Sequence, residues 1–141
     1  MSELSMNCVP IGFVSSPYKI RGDAPKQGRL TDEVSIITLD PAYMDAAEGL
    51  CIGDDLFVLC WFDRSDRTVL KSRKFGEEQN PLRGVFSTRS PNRPNPIALT
   101  LVKLVSVDGC GLTVRGLEAL DKTPVVDIKP YSDGIDTPRN D

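Results

Sequence analysis

The sequence contains no histidine. That one absence excludes Ser-His-Asp and Cys-His nucleophilic catalysis, histidine general bases and the HExxH zinc motif together. Cysteine is scarce as well: Cys8, Cys51, Cys60 and Cys110 form no CxxC pair, so no zinc or redox motif is spelled. They read as reduced, partly buried small apolar residues. No apolar run approaches the roughly 18 residues that a membrane-spanning helix needs. The opening stretch, MSELSMNCVPIGFVSSP, lacks the basic and apolar regions of a secretory leader, so a cytoplasmic protein is expected. No GxGxxG joins a strand to a helix, and no repeat or low-complexity tract is visible. Any chemistry must run on carboxylates, Arg, Lys, Tyr, hydroxyls or a bound cofactor.

What is present is an ordinary globular composition, 40% hydrophobic and 26% charged over 141 residues, which fits a single domain spanning 1–141. Short runs rich in residues branched at Cβ predict strands at Cys8–Val14, Val34–Leu39, Ile97–Val107, Leu112–Leu117 and Val125–Ile128. Leu56–Phe62 is continuously apolar, the pattern of a strand buried on both faces. Asp40-Pro41 starts a short helix that Gly49 stops, and Asp108-Gly109 makes a hairpin turn. Residues 64–83 are polar and broken by Gly76 and Pro81, which predicts a long mobile basic flap; residues 132–141 read as a frayed tail. Seven or so short strands and one short helix argue for an all-β antiparallel barrel or sandwich.

The most unusual stretch is Gly84–Leu104, GVFSTRSPNRPNPIALTLVKL. Pro91, Pro94 and Pro96 each fix φ, remove a donor and push the preceding residue to extended geometry. A stiff loop between two strands is expected, carrying Thr88, Arg89, Ser90, Asn92, Arg93 and Asn95. Polar groups on a pre-ordered loop suit a binding site; the plainer reading is a connection with solvated arginines. Charge is uneven too. Residues 64–93 hold eight cations against three carboxylates, a local +5 on a chain whose net charge is −3. A basic middle on an acidic body can steer a polyanion to one face. Trp61, inside an apolar run, reads as core, and Phe75 between Lys74 and Gly76 is the better candidate for stacking on a base.

VFSTRSPNRPNPIALTLVKL closely resembles the signature of the TrmO family, also called TsaA-like or YaeB-like proteins. IGFVSSPYKIRGDAPKQGRL, LDPAYMDAAEGL, LFVLCWFD and DKTPVVDIKPY match in order, so the resemblance spans roughly residues 9 to 131. It implies a single small antiparallel β-barrel that binds S-adenosyl-L-methionine, works as a homodimer and uses no metal. The implied reaction is methylation of N6 on threonylcarbamoyl-adenosine at position 37, in the tRNA anticodon loop. By matched position the cofactor meets Pro25, Lys26 and Gln27, then Asp63 and Arg64, Arg89 and Leu99, and finally Ala119, Leu120, Asp121 and Lys122. Arg93, Asn95, Asp127 and Tyr131 are the implied catalytic positions, the last two as proton acceptors for the exocyclic amine.

Departures from the family pattern are confined to a few positions. Many relatives carry histidine where Asp63 stands and glycine where Ala98 and Lys122 stand, and longer relatives have an additional C-terminal domain, whereas this sequence ends soon after the last motif. Methyl transfer from a sulfonium asks the protein mainly to align donor and acceptor, and no histidine is required. Two other readings stay open: a non-catalytic barrel that holds the cofactor or RNA as a sensor or adaptor, and a methyltransferase of this fold with another acceptor.

Overall fold

The computed structural model describes residues 4–20 and 32–140. Its strands are β1 (Gly12–Ser15), β2 (Val34–Leu39), β3 (Asp55–Trp61), β4 (Lys71–Arg73), β5 (Leu82–Gly84), β6 (Ile97–Asp108), β7 (Gly111–Arg115) and β8 (Pro124–Pro130). Six of these close into a barrel in the order β1-β2-β7-β6-β3-β8, every pair antiparallel, with β8 returning to β1. Between barrel and sandwich, the residues choose the barrel.

Alternation explains how the wall closes around its contents. In β2, Ser35, Ile37 and Leu39 turn inward while Val34, Ile36 and Thr38 face out. Leu56, Val58 and Cys60 from β3, Val102 and Leu104 from β6, Leu112 and Val114 from β7, and Val125 from β8 complete a largely aliphatic core. Fully burying each branched side chain contributes about 1.5–3 kcal/mol, so a barrel this small is held chiefly by aliphatic packing. Where strands β1 and β2 meet, a Cβ at Gly12 would run into the Thr38 carbonyl oxygen. Only glycine permits that approach.

Two register shifts, at Leu59/Cys60 against β8 and Leu104/Ser106 between β6 and β7, supply the local bends that closure demands. β6 is the longest strand because it serves two neighbours, pairing β3 from Ile97 to Lys103 and β7 from Lys103 onward.

Several expectations are corrected. β3 is buried on one face only; Phe57, Leu59 and Trp61 are half-buried on the outside, since no second layer among the described residues covers this wall. Trp61 is therefore not core. The helix after Asp40 forms as a 3-10 turn, Pro41–Ala47, with Asp40 Oδ1 accepting from Ala42 N at 2.9 Å. Met44, Ala47 and Leu50 pack against the core there and cover one end of the barrel. The stretch from 65 to 83 is not structureless: β4 and β5 pair into a two-stranded ribbon. Val85–Ser87 is a 3-10 turn rather than a strand. The tail carries a helical turn, Asp133–Asp136, closed by Ser132 N donating to Asp136 Oδ2 at 2.7 Å. Of the cysteines only Cys60 is buried; Cys8 and Cys51 are exposed.

Candidate functional site

Antiparallel closure sorts the connections by barrel end. The chain leaves β1, β3 and β7 at one end and enters β2, β6 and β8 there. That end therefore gathers residues 16–20, 32–33, 62–96 and 116–123, while the 3-10 turn after β2 and the β6–β7 hairpin sit at the other. The exit of β1, the proline loop and the late turn thus share one rim. Pro25, Lys26 and Gln27 lie outside the described residues.

At this rim the late turn is clamped to the exit of β1. Ser16 Oγ donates to the Ala119 carbonyl at 2.8 Å, and Ser16 N donates to Asp121 Oδ1 at 3.0 Å. Asp121 N reaches the Tyr18 carbonyl and Lys122 N the Val14 carbonyl, both at 2.6 Å. Lys19 Nζ stands 3.2 Å from Asp121 Oδ2. The Ser16 amide and Lys19 ammonium favour the ionised form, so Asp121 is held below its ordinary carboxylate value. From the β3 exit, Arg64 Nη2 donates to the Asp121 carbonyl at 2.7 Å and to Thr123 Oγ1 at 3.3 Å. Asp63 faces Arg64 Nε at 3.8 Å and remains half exposed. Lys122 has φ of 70°, a left-handed backbone that glycine adopts without steric cost.

The proline loop is held by guanidinium groups. Arg93 donates to three carbonyls: Ser90 at 2.9 Å, Val85 at 3.0 Å and Thr88 at 3.1 Å. Arg67 donates to Pro94 O at 2.8 Å and Asn95 Oδ1 at 3.1 Å, and its guanidinium lies 5.0 Å from the Trp61 ring centroid. Asn92 Oδ1 accepts from Asp66 N at 2.8 Å. Arg89, by contrast, is exposed, and its side chain makes no hydrogen bond or ion pair with any described residue. One arginine builds the loop; the other is offered by it.

The structure thus brings Asp63, Arg64, Ala119, Leu120, Asp121 and Lys122 together at one rim, with Arg89, Arg93 and Asn95 on the loop that enters β6. It leaves two groups apart. Leu99 is on the outer wall, in one cross-strand row with Leu59 and Asp127. Asp127 is four strand positions from Asp63 by that register, roughly 13 Å at strand rise, and pairs with Lys129 Nζ at 3.2 Å. Tyr131 is at the far end, its N–H on the Asp55 carbonyl and its ring 5.8 Å from Phe57. Sequence reasoning misses Ser16, Lys19, Thr123 and Arg67. The Ser-Ser-Pro run signals a turn hydroxyl for Ser16; nothing in the residues around Arg67 signals its partners.

The rim is polar and of mixed charge, with Asp63 and Asp121 among Lys19, Arg64 and Lys122. The Tyr18 hydroxyl is buried beside the clamp without a hydrogen-bond partner among the described residues, an arrangement that proteins avoid unless some further group completes it. An open cleft of about 490 Å³ bordered by Phe13, Val14, Ser15, Thr38 and Lys122 adjoins the late turn. Among the described residues no cluster of three metal-ligating side chains exists, and no helix is long and apolar enough to cross a membrane.

Comparison with known proteins gives these features a family. The sequence pattern described as the tRNA-methyltransferase O N-terminal domain matches residues 13–137. The chain belongs to the TrmO N-terminal domain family. A probable S-adenosyl-L-methionine-binding protein of Methanothermobacter thermautotrophicus is 48% identical over 139 residues, covering 97% of this chain and 98% of that protein. An S-adenosyl-L-methionine-binding protein of Archaeoglobus fulgidus is 46% identical over 127 residues, covering 90% of each. The crystal structure of TrmO from Pseudomonas aeruginosa superposes with a TM-score of 0.77 at 28% identity, covering 98% of this chain. This chain spans 61% of the length of that structure.

Proposed function

We propose that this protein is an S-adenosylmethionine-dependent tRNA methyltransferase that methylates N6 of threonylcarbamoyl-adenosine at position 37. The observation that carries the reading is the convergence, at one barrel rim, of Asp63, Arg64 and Ala119 to Lys122, with the late turn joined to them through Ser16, Tyr18 and Arg64. When bound, the cofactor supplies a methyl group activated on a sulfonium. Pro25, Lys26, Gln27, Asp63, Arg64, Arg89, Leu99 and Ala119 to Lys122 are the residues proposed to hold it. Tyr18 joins them as a hydroxyl able to donate or accept. Asp121, kept ionised, fixes the backbone geometry of the late turn through Ser16 and Lys19.

Arg93 and Asn95 act on the reaction by shaping the proline loop, since their polar groups are engaged with Thr88, Ser90, Val85 and Arg67. Asp127 and Tyr131, implied as proton acceptors by the resemblance, stand on the outer wall and at the far end, out of hydrogen-bond reach of a group held at the rim of the same chain, so the exocyclic proton is proposed to pass to water. Homodimer formation is supported by the apolar outer face, where Ile97, Leu99 and Leu101 are exposed beside half-buried Phe57 and Leu59. A cytoplasmic setting follows from a tRNA substrate.

Incubation with methyl-labelled cofactor and tRNA, with and without the threonylcarbamoyl group, tests the reading. Label entering only the modified tRNA is expected. Cofactor binding without label in any RNA would replace it with a sensor or adaptor role, and label in another acceptor would leave only the transferase class.

A further inference from the structure

Phe86 is the most exposed large apolar side chain in the described residues, at 86% relative exposure. Its backbone is nevertheless one of the most firmly held. Val85 before it is 2% exposed and anchors the 3-10 turn; its N–H bonds the Leu70 carbonyl at 3.0 Å. The Val85 carbonyl accepts from Thr88 N at 3.1 Å, Thr88 Oγ1 at 3.0 Å and Arg93 Nη2 at 3.0 Å. Ser87 Oγ closes the other side on the Gly84 carbonyl at 2.7 Å. A turn fixed at every neighbouring residue cannot fold its aromatic ring back onto the barrel, so the ring is presented to solvent by construction.

The ribbon and loop on either side of that turn are cationic. Residues 70–89 carry Lys71, Arg73, Lys74, Arg83 and Arg89 against Glu77 and Glu78, a local +3 on a chain of net charge −3. Ser72 and Arg83 are cross-strand partners, and Ser72 Oγ lies 3.3 Å from Thr88 Oγ1. Arg83 therefore stands on the ribbon face that meets the proline loop, next to the residue that precedes Arg89. The side chains of Lys71, Arg83 and Arg89 make no hydrogen bond or ion pair with described residues. A solvent-exposed aromatic ring on an anchored turn, flanked in sequence by such cations, has the composition of a surface that stacks an unpaired base while neutralising its phosphates.

We infer that Phe86 is the stacking platform for an unpaired base of an RNA loop, with Arg83 of the ribbon engaging a flanking phosphate. This rests on the tRNA-methyltransferase reading and assigns the RNA surface within it. It also replaces Phe75 as the platform. Phe75 is less exposed, its backbone sits at φ of 57°, and its ring already faces Lys74 Nζ at 5.3 Å.

The test is fluorescence anisotropy with a labelled RNA hairpin bearing an unpaired loop, and with a blunt RNA duplex of the same length. Phe86→Ala is expected to weaken hairpin binding roughly 5- to 100-fold and duplex binding little, and Phe86→Trp to restore it. Arg83→Gln should lower the salt dependence of hairpin binding by about one unit of slope. Cofactor affinity by calorimetry and thermal melting of Phe86→Ala should match the parent. Hairpin binding by the parent that Phe86→Ala leaves intact overturns this inference while the enzyme reading stands. Equal losses on hairpin and duplex also overturn it, because a paired base cannot stack on the ring. So does a Phe86→Ala protein that keeps its RNA affinity but sediments as a smaller species, which gives the ring to a second copy of the chain. A parent protein that neither binds nor methylates RNA removes both readings.

Discussion

The barrel and the excursion that leaves it between β3 and β6 keep their shapes by different means. In the barrel, strands are joined by continuous ladders, and alternate residues meet in an aliphatic core. In residues 62–96 many of the bonds run from side chains to carbonyls. Arg67 reaches Pro94, Arg73 reaches Asn80 at 2.8 Å, Asn80 reaches Lys74 at 2.8 Å, and Arg93 gathers three carbonyls. Prolines remove donors and stiffen the loop, so the missing backbone ladder is replaced by guanidinium donors with fixed planar geometry. Stability and function are therefore separable here. The barrel decides whether the chain folds; the arginine-held excursion decides what the rim presents.

The largest expected effect breaks the barrel side of this comparison. Leu104 is fully buried and lies beside the β6 register shift. Leu104→Ala should cost about 2–5 kcal/mol through lost transfer energy and a residual cavity. Denaturant unfolding should show a lower midpoint with an unchanged slope. A loss below about 1 kcal/mol would mean that the wall relaxes into the space, and that the core is less decisive than its packing implies.

A smaller effect sharpens the other side. Arg93→Ala strips donors from the Val85, Thr88 and Ser90 carbonyls, at a net cost of about 1–3 kcal/mol confined to the loop. Transferase activity should fall on the order of 100-fold, because the loop no longer holds Arg89 in place, and amide exchange should rise across 85–95 alone. Arg89→Ala, which breaks no bond to a described residue, should leave melting within about 0.5 kcal/mol of the parent and weaken cofactor binding in calorimetry. Identical behaviour of the two variants would erase the distinction between a building arginine and a presented one.

The same division marks what the residues disclose. Val34–Leu39 is legible to the residue, because β-branched alternation is a local signal that tertiary structure has no reason to override. Asp40-Pro41 is legible as a helix start, but 3-10 and α geometry differ by hydrogen-bond register, which spacing does not encode. β4 and β5 escape notice because Lys-Ser-Arg and Leu-Arg-Gly are too short and polar to show a period. The strong apolar content of β3 suggests two-sided burial, yet a wall without a covering layer leaves Phe57, Leu59 and Trp61 outside. Arg89 and Arg93 are both visible as loop guanidiniums. Which one is consumed depends on where the Val85, Thr88 and Ser90 carbonyls point, a matter of three-dimensional closure. Phe86 belongs by sequence to a short apolar run, and only the anchored 3-10 turn shows that it faces solvent.

The smallest predicted effect concerns the joint between the two regions, at Lys122. Its φ of 70° places a side chain with a Cβ in a backbone region that costs roughly 1–2 kcal/mol for most residues. Two bonds hold it there: Lys122 N on the Val14 carbonyl at 2.6 Å, and Val14 N on the Thr123 carbonyl at 2.9 Å. Replacing it with glycine removes the steric penalty but widens the freedom of the unfolded chain by roughly 0.5–1 kcal/mol. The steric relief outweighs that added freedom, so Lys122→Gly should stabilise the fold by up to about 1 kcal/mol in denaturant unfolding. Lys122→Ala keeps the Cβ that strains the backbone and removes the rest of the side chain with its ammonium, so it should gain nothing from relief of strain. Equal stabilisation by both variants would trace the effect to charge beside Lys19 rather than to backbone strain, and the clamp would then owe its shape to electrostatics instead of to the turn.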